Sequence, residues 1–385
     1  MIPYGRQDIS DEDVAAVVAV LRSDFLTQGP AVPRFETRLA ETCGAAHAVA
    51  VNSATSALHI ACLALGVGPG SLVWTSPITF VASANCALYC GAEVDFVDID
   101  PATFNLSVDA LAAKLEAAER LGRLPDVVIP VHLAGLPCDM AAIHALGQRF
   151  GFRIIEDASH AVGASYGGSP VGDCRFSDIA VMSFHPVKII TTGEGGAALT
   201  NDADLAQRMA LLRTHGVTRD EAEMEGASHG PWYYEQVALG FNYRMTDMQA
   251  ALGASQIGRL KQFVDARRAI SAHYDTAFAN EPFAVQQQIA EARSSYHLYI
   301  IRLHDVSGGR RRTVFDALRA RGIGVNLHYI PVYLQPYYRR LGFAPGHCPA
   351  AEDYYAGAIS IPLYPGLSEA ERDQVVKAVK EAVRA

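Results

Sequence analysis

Seven short apolar runs rich in β-branched residues recur through the first half of the chain, and they constrain the fold more than any other feature. They cover residues 47–52, 72–76, 94–99, 126–131, 153–157, 179–184 and 196–200. Each reads as a strand with little or no solvent face. Most are separated by helical patterns. Residues 55–65 are apolar on nearly every turn, 108–118 place Leu111 and Leu115 at i, i+4, and 139–150 repeat at Met140, Ile143, Leu146 and Phe150. Strands alternating with helices predict an α/β domain with a mostly parallel sheet covered on both faces.

Beyond Thr200 the pattern changes to longer helices, predicted over 203–213, 246–263 and 266–279. An isolated strand (296–303), a helix (310–320), the run 324–328 and a last helix opening at the capping box Ser368-Glu369-Ala370-Glu371 follow. We therefore expect a large domain over 1–250, its N-terminal segment packing on the small domain, and a smaller α+β domain over 251–385. The one long irregular insertion is 221–234.

With 50% hydrophobic and 19% charged residues the chain has apolar material for such a core, which excludes disorder. A net charge of -9 disfavours nucleic-acid and acidic-membrane partners. Seven scattered cysteines without a CxxC pair read as free thiols of a reducing compartment, and no stretch reads as a leader or a membrane span. A cytoplasmic protein is expected. No histidine forms an HExxH or HxH pair, so no metal is expected.

Lysine is scarce, five against 27 arginines. Four lie in amphipathic helices, but Lys188 sits among β-branched neighbours just before a glycine cluster. Two readings stand: a desolvated amine suited to Schiff-base chemistry, or a lysine looping out of a turn to solvent. Asp157 closes the fifth run at the carboxyl edge, where open α/β sheets bind ligands. It can hold a pyridine nitrogen protonated, or cap a following helix. After the first run, Asn52-Ser-Ala-Thr-Ser-Ala57 opens a helix whose free amides suit an anion, or merely supplies N-caps. The absence of GxGxxG removes the main support for a nicotinamide or flavin enzyme.

Taken in order, these residues resemble the sugar aminotransferases of fold-type I pyridoxal phosphate enzymes, the DegT/DnrJ/EryC1/StrS family. The segments that carry the resemblance are Asn52–Ala57, Thr75–Asn85, Glu156-Asp-Ala-Ser-His160, Ser183-Phe-His-Pro-Val-Lys188 with Thr192–Gly196, and Gly240-Phe-Asn-Tyr-Arg-Met-Thr-Asp247. Within the family, Pro231-Trp-Tyr-Tyr-Glu-Gln236 and Val325–Pro331 look most like the pseudaminic acid branch.

The resemblance implies the fold-type I architecture, a seven-stranded sheet between helices plus a smaller C-terminal domain, and pyridoxal 5′-phosphate as cofactor. It implies amino transfer from L-glutamate to C4 of a UDP-linked 4-keto-6-deoxy-N-acetyl sugar. Position by position, Lys188 matches the Schiff-base lysine, Asp157 the partner of the pyridinium nitrogen, Phe80 the stacking aromatic, and His160 a neighbour of the ring hydroxyl. Ser53, Ala54, Thr55 and Ser183 match phosphate contacts. Asn242 matches a phosphate ligand from a neighbouring subunit, so a homodimer with shared sites is implied. For the sugar nucleotide, the candidates are Arg244, as local charge in an acidic protein, with His185, His328 and Tyr329. Two alternatives remain: another nucleotide-linked keto sugar as substrate, and a non-catalytic sugar-nucleotide-binding module on the same fold.

Overall fold

The computed structural model describes residues 1–384. The seven apolar runs form one sheet: β1 (His47–Val51), β2 (Leu72–Thr75), β3 (Glu93–Phe96), β4 (Val127–Ile129), β5 (Arg153–Asp157), β6 (Ile179–Ser183) and β7 (Gly196–Thr200). Their spatial order is β1-β7-β6-β5-β4-β2-β3. Only β7 is reversed, antiparallel to both β1 and β6, while β6, β5, β4, β2 and β3 pair in parallel. The expected α/β fold is therefore present.

The third strand is shorter than its apolar run. Past Phe96 the chain is drawn away because the Asp98 carboxylate accepts the N–H groups of Ala350 and Ala351 at 2.9 Å each. Similarly, β4 ends before Pro130, which has no N–H to donate.

Helices α1 (Asp11–Leu21) and α2 (Ala31–Cys43) precede the sheet. The strand connections carry α3 (Ala54–Ala64), α4 (Ala82–Tyr89), α5 (Val108–Arg120) and α6 (Met140–Phe150), and α7 (Ala203–Arg213) follows β7. Leu58, Ile60 and Cys62 of α3 and Ala84 and Cys86 of α4 pack on one part of the sheet. Leu111 and Leu115 of α5 and Ile143 of α6 pack around Trp74 and Val128 on another. All seven cysteines are free and buried.

The helix predicted over 246–263 breaks, giving α8 (Asp247–Ile257) and α9 (Leu260–Phe278). The break falls at Gly258–Arg259 because Arg259 must turn to meet α1. Its guanidinium pairs with Asp8 at 2.6 Å and with the fully buried Asp13, which also accepts from Gln256 Nε2 at 2.6 Å. No break occurs near 264–265, where Asp265 pairs with Lys261 one turn earlier.

After α9 come β8 (Phe283–Val285), β9 (Tyr299–Leu303), α10 (Arg310–Ala320), α11 (Pro336–Arg340), α12 (Pro349–Gly357), β10 (Ala358–Ile361) and α13 (Glu369–Arg384). The three strands form an antiparallel sheet in the order β8-β9-β10. Ile270, Tyr274, Ile301, Val314, Leu318, Val375 and Val379 form a separate core there, and Ile2 belongs to it. Ile2 donates to Gly322 O at 2.8 Å and accepts from Gly324 N at 2.7 Å. The strand predicted from Tyr296 starts only at Tyr299, because Tyr296 adopts φ +49° in a turn held by Ser294 Oγ. The run 324–328 is not a strand of its own; only Asn326 bridges to Ser360. Among the described residues no helix is long and apolar enough to cross a membrane.

Burial works against the charge of Asp13, but the Ser10 N–H, Ser255, Gln256 and Arg259 outweigh it and hold its carboxyl below the usual range. Arg259→Met should therefore cost about 2 kcal/mol in urea unfolding at neutral pH, less than a fully buried pair because Arg259 is partly exposed. A carboxyl lowered in the folded state stabilises above its unfolded value, so the deficit should shrink as pH falls below about 4. A pH-independent deficit would show that packing, not the ion pair, is lost.

Candidate active site

The carboxyl ends of β1, β5 and β6 open onto one edge of the sheet. β1 runs into Ser53, whose Oγ caps α3 by accepting the Ser56 N–H at 3.1 Å. The N-cap reading holds, and capping leaves the first amides of α3 open to an anion. Gly196, at the start of the reversed β7, is pressed against this turn. A Cβ there would stand 2.4 Å from Ala54 N and 2.5 Å from Ser53 C, so only glycine fits.

At the end of β5, Asp157 is buried and does not cap a helix. Its Oδ1 accepts the Ser159 N–H at 3.1 Å and its Oδ2 accepts from Ser83 Oγ at 2.6 Å; Ser83 Oγ also lies 2.7 Å from Thr79 Oγ1. Beyond β6, the Lys188 N–H donates to His185 O at 2.9 Å in a turn, and the side chain lies in a cavity of 590 Å³ rather than in bulk solvent. Burial pushes its amine down to about 8, against the opposing pull of the Asp157 carboxylate.

Ser53, Ala54, Thr55, Phe80, Asp157, His160, Ser183, His185, Lys188, His328 and Tyr329 all line this cavity. Phe80 stands at its rim, 59% exposed, its ring centroid 6.4 Å from that of Tyr329. His160 Nδ1 accepts the Ala134 N–H at 3.2 Å and its Nε2 lies 3.1 Å from Tyr329 Oη. His328 Nδ1 lies 2.8 Å from Ser360 Oγ, and burial together with the Lys188 charge pushes its imidazole down to about 3. His185 is near Glu194 at 4.0 Å.

Two residues expected at the site do not reach this cavity within the single chain. Asn242 is exposed, its backbone bridging to Thr214. Arg244 lines a separate groove of 170 Å³ with Gln28, Glu36 and Arg213. The cavity itself has no arginine, and Lys188 is its one lysine among the described residues.

The sequence reading overlooked Ser83, Tyr4 and His297. Ser83 lies one helical turn after Phe80 in a segment already singled out, so that spacing is a usable signal. Tyr4 and His297 reach the cavity from remote parts of the chain and carry no local pattern. A desolvated amine, a fixed carboxylate, free helix amides and an aromatic wall fit a phosphate-bearing aldehyde with a basic ring nitrogen, the chemistry of pyridoxal phosphate.

Residues 7–380 match the profile of the DegT/DnrJ/EryC1/StrS aminotransferase family. The chain is 38% identical to the spore coat polysaccharide biosynthesis protein SpsC of Bacillus subtilis, over 100% of this chain and 97% of that protein. It is 36% identical to the UDP-4-amino-4,6-dideoxy-N-acetyl-beta-L-altrosamine transaminase of Campylobacter jejuni, over 94% and 93%. Among solved structures, it is similar to the protein Spr1654 of Streptococcus pneumoniae in its PMP form (TM-score 0.91, 32% identity, 100% and 99% coverage). It is also similar to Helicobacter pylori PseC, an aminotransferase involved in the biosynthesis of pseudoaminic acid (TM-score 0.90, 31% identity, 100% and 99% coverage).

Ser83→Ala should leave Asp157 Oδ2 without its side-chain donor and destabilise the apoprotein by about 1–3 kcal/mol in urea unfolding. Unchanged stability would mean that water replaces the hydroxyl without cost.

Proposed function

The chain belongs to the DegT/DnrJ/EryC1/StrS aminotransferase family, and from that premise we propose that it is a pyridoxal 5′-phosphate-dependent transaminase of a nucleotide-linked keto sugar. The amino donor is L-glutamate. The acceptor is C4 of a UDP-linked 4-keto-6-deoxy-N-acetyl sugar, the 2-acetamido-2,6-dideoxy-β-L-arabino-hexos-4-ulose that leads to pseudaminic acid. The observation that carries this reading is the desolvated Lys188 amine in one cavity with the Asp157 carboxylate. The similarity to the C. jejuni transaminase and to PseC favours this sugar. The similarity to SpsC favours a second reading, the same reaction on another nucleotide-linked keto sugar.

When bound, the cofactor supplies a carbonyl that condenses with amines and a ring that accepts the electron pair released at the donor carbon. Lys188 would be the amine that holds it and, when free, a base for the proton at the donor carbon. Asp157, fixed by Ser83 and Ser159, would keep a proton on the ring nitrogen. The α3 amides at Ala54 and Thr55, with Ser53 and Ser183, would receive the phosphate, Phe80 would cover the ring, and His160 would lie beside its hydroxyl. His185, His328 and Tyr329 would face the substrate.

A cavity without arginine offers little countercharge to glutamate or a diphosphate. Asn242 and Arg244 would supply the missing contacts from a second copy of the chain, making a homodimer the active unit.

Incubation with pyridoxal phosphate, glutamate and a panel of UDP-4-keto sugars, with product identification, tests the reading; no amination of any of them would overturn it. Because the neutral amine is the nucleophile, the rate of cofactor uptake should rise with pH through about 8 and level off above it. Lys188→Ala should fold normally, show no visible band bleached by borohydride, and lose activity by about a thousandfold or more.

Mixing Lys188→Ala chains with Asn242→Ala chains under subunit exchange should restore activity above either variant alone, since each mixed dimer regains one complete site. Failure to recover after demonstrated exchange would refute the shared site.

A further inference from the structure

His160 is held by more than its own segment. Ala134, in the turn Leu133–Gly135, adopts φ +60° and thereby aims its N–H at His160 Nδ1, 3.2 Å away. The next residue, Gly135 (φ +95°), allows the turn to press close. A Cβ there would lie 2.5 Å from Ser295 Oγ and 2.9 Å from His160 O. Ser295 Oγ in turn donates to that same His160 carbonyl at 2.9 Å, and the His297 ring lies 4.4 Å from the His160 ring. The imidazole is thus fixed by the 133–135 turn, by Ser295 and by His297.

A backbone N–H can only donate, so His160 Nδ1 carries no proton. Burial, the Lys188 charge and His328 keep the ring from taking a second one. The single ring proton must be on Nε2, and it is donated to Tyr329 Oη at 3.1 Å. Tyr329 is likewise kept as a phenol, by burial and by the Asp157 carboxylate. Its own O–H proton cannot return to His160 and has no acceptor among the described residues. Tyr329 lines the cavity, its ring centroid 6.4 Å from that of Phe80.

We propose that Tyr329 is an obligatory hydrogen-bond donor to an oxygen of the bound ligand, its polarity set by the Ala134 N–H through His160. It selects a ligand group that can accept at that point, and Ala134 and His160 are positioning residues that act through it. The identity of the ligand rests on the function proposed above, whereas the direction of the hydrogen-bond chain rests on the apoprotein geometry alone. Two oxygens meet the requirement, the ring hydroxyl of the cofactor and the keto oxygen of the sugar.

Nitrogen-15 NMR of the histidine-labelled apoprotein at neutral pH should show His160 neutral and protonated on Nε2 only. A proton on Nδ1 would overturn the proposal. This measurement needs no variant and no ligand.

Tyr329→Phe keeps the ring and removes the donor. If the acceptor is the cofactor oxygen, the dissociation constant of pyridoxal phosphate from the variant should rise about five- to tenfold. If it is the keto oxygen, cofactor binding stays unchanged while kcat/KM for the UDP-4-keto sugar falls by a similar factor and the glutamate half-reaction is spared. A variant equal to wild type in both respects would overturn the donor assignment. A wild-type protein that takes up cofactor without forming the borohydride-sensitive lysine adduct would instead overturn the proposed function and leave the His160 result standing.

Discussion

The reversal of one strand organises the centre of this protein. Because β7 runs antiparallel to β6, the chain leaves the sheet at Ser183 and re-enters at Gly196 on the same edge, with Lys188 between. The two arms of that loop are tied across its base: Phe184 N–H donates to Gly195 O and Thr192 N–H donates to Phe184 O, each at 2.9 Å. A parallel crossover would have carried the chain to the opposite edge. The hairpin keeps the amine beside the carboxyl ends of β1 and β5, and it brings Gly196 against the α3 turn where no side chain could follow.

The cavity is electrically lean. Burial lowers the proton affinity of Lys188, His160, His297 and His328, and the three imidazoles are further disfavoured by the lysine charge. Protonating any one makes the others harder to protonate, so the group favours neutral bases. Polarity there comes from directed hydrogen bonds: Ser83 and Ser159 onto Asp157, Ala134 onto His160, His160 onto Tyr329. Such dipoles need no reorganisation when a ligand enters.

Much of this was legible in the sequence. The seven strands are buried enough for hydrophobicity alone to mark them, and Lys188 stood out because a lysine among β-branched residues is costly unless it has work to do. Local patterns failed where a remote partner decides the backbone. Periodicity runs straight through Gly258, and only Asp8 and Asp13 on another element explain the turn there. The run ending at Ile99 looks like strand until Asp98 meets α12. Tyr4 and His297 enter the cavity through tertiary packing that no spacing encodes. Asn242 and Arg244 lie outside the cavity of their own chain, a placement that depends on the path of the polypeptide after the irregular segment rather than on residue type.

The first ten residues form a lacing. Ile2 is bonded to the C-terminal unit at Gly322 and Gly324, Tyr4 O accepts from Leu363 N at 3.0 Å while its ring borders the cavity, and Asp8 is clasped by Arg259 at the α8–α9 junction. The C-terminal unit is thus fastened to the sheet by this lacing, by α9 and by direct packing: Val332 N–H donates to Pro77 O at 2.9 Å, and Leu298, Ile300, Tyr333 and Tyr354 share a core with Val73 and Ile129. The wall that Tyr4 and His328 build on the cavity therefore stands only while the two ends of the chain stay docked on the same sheet.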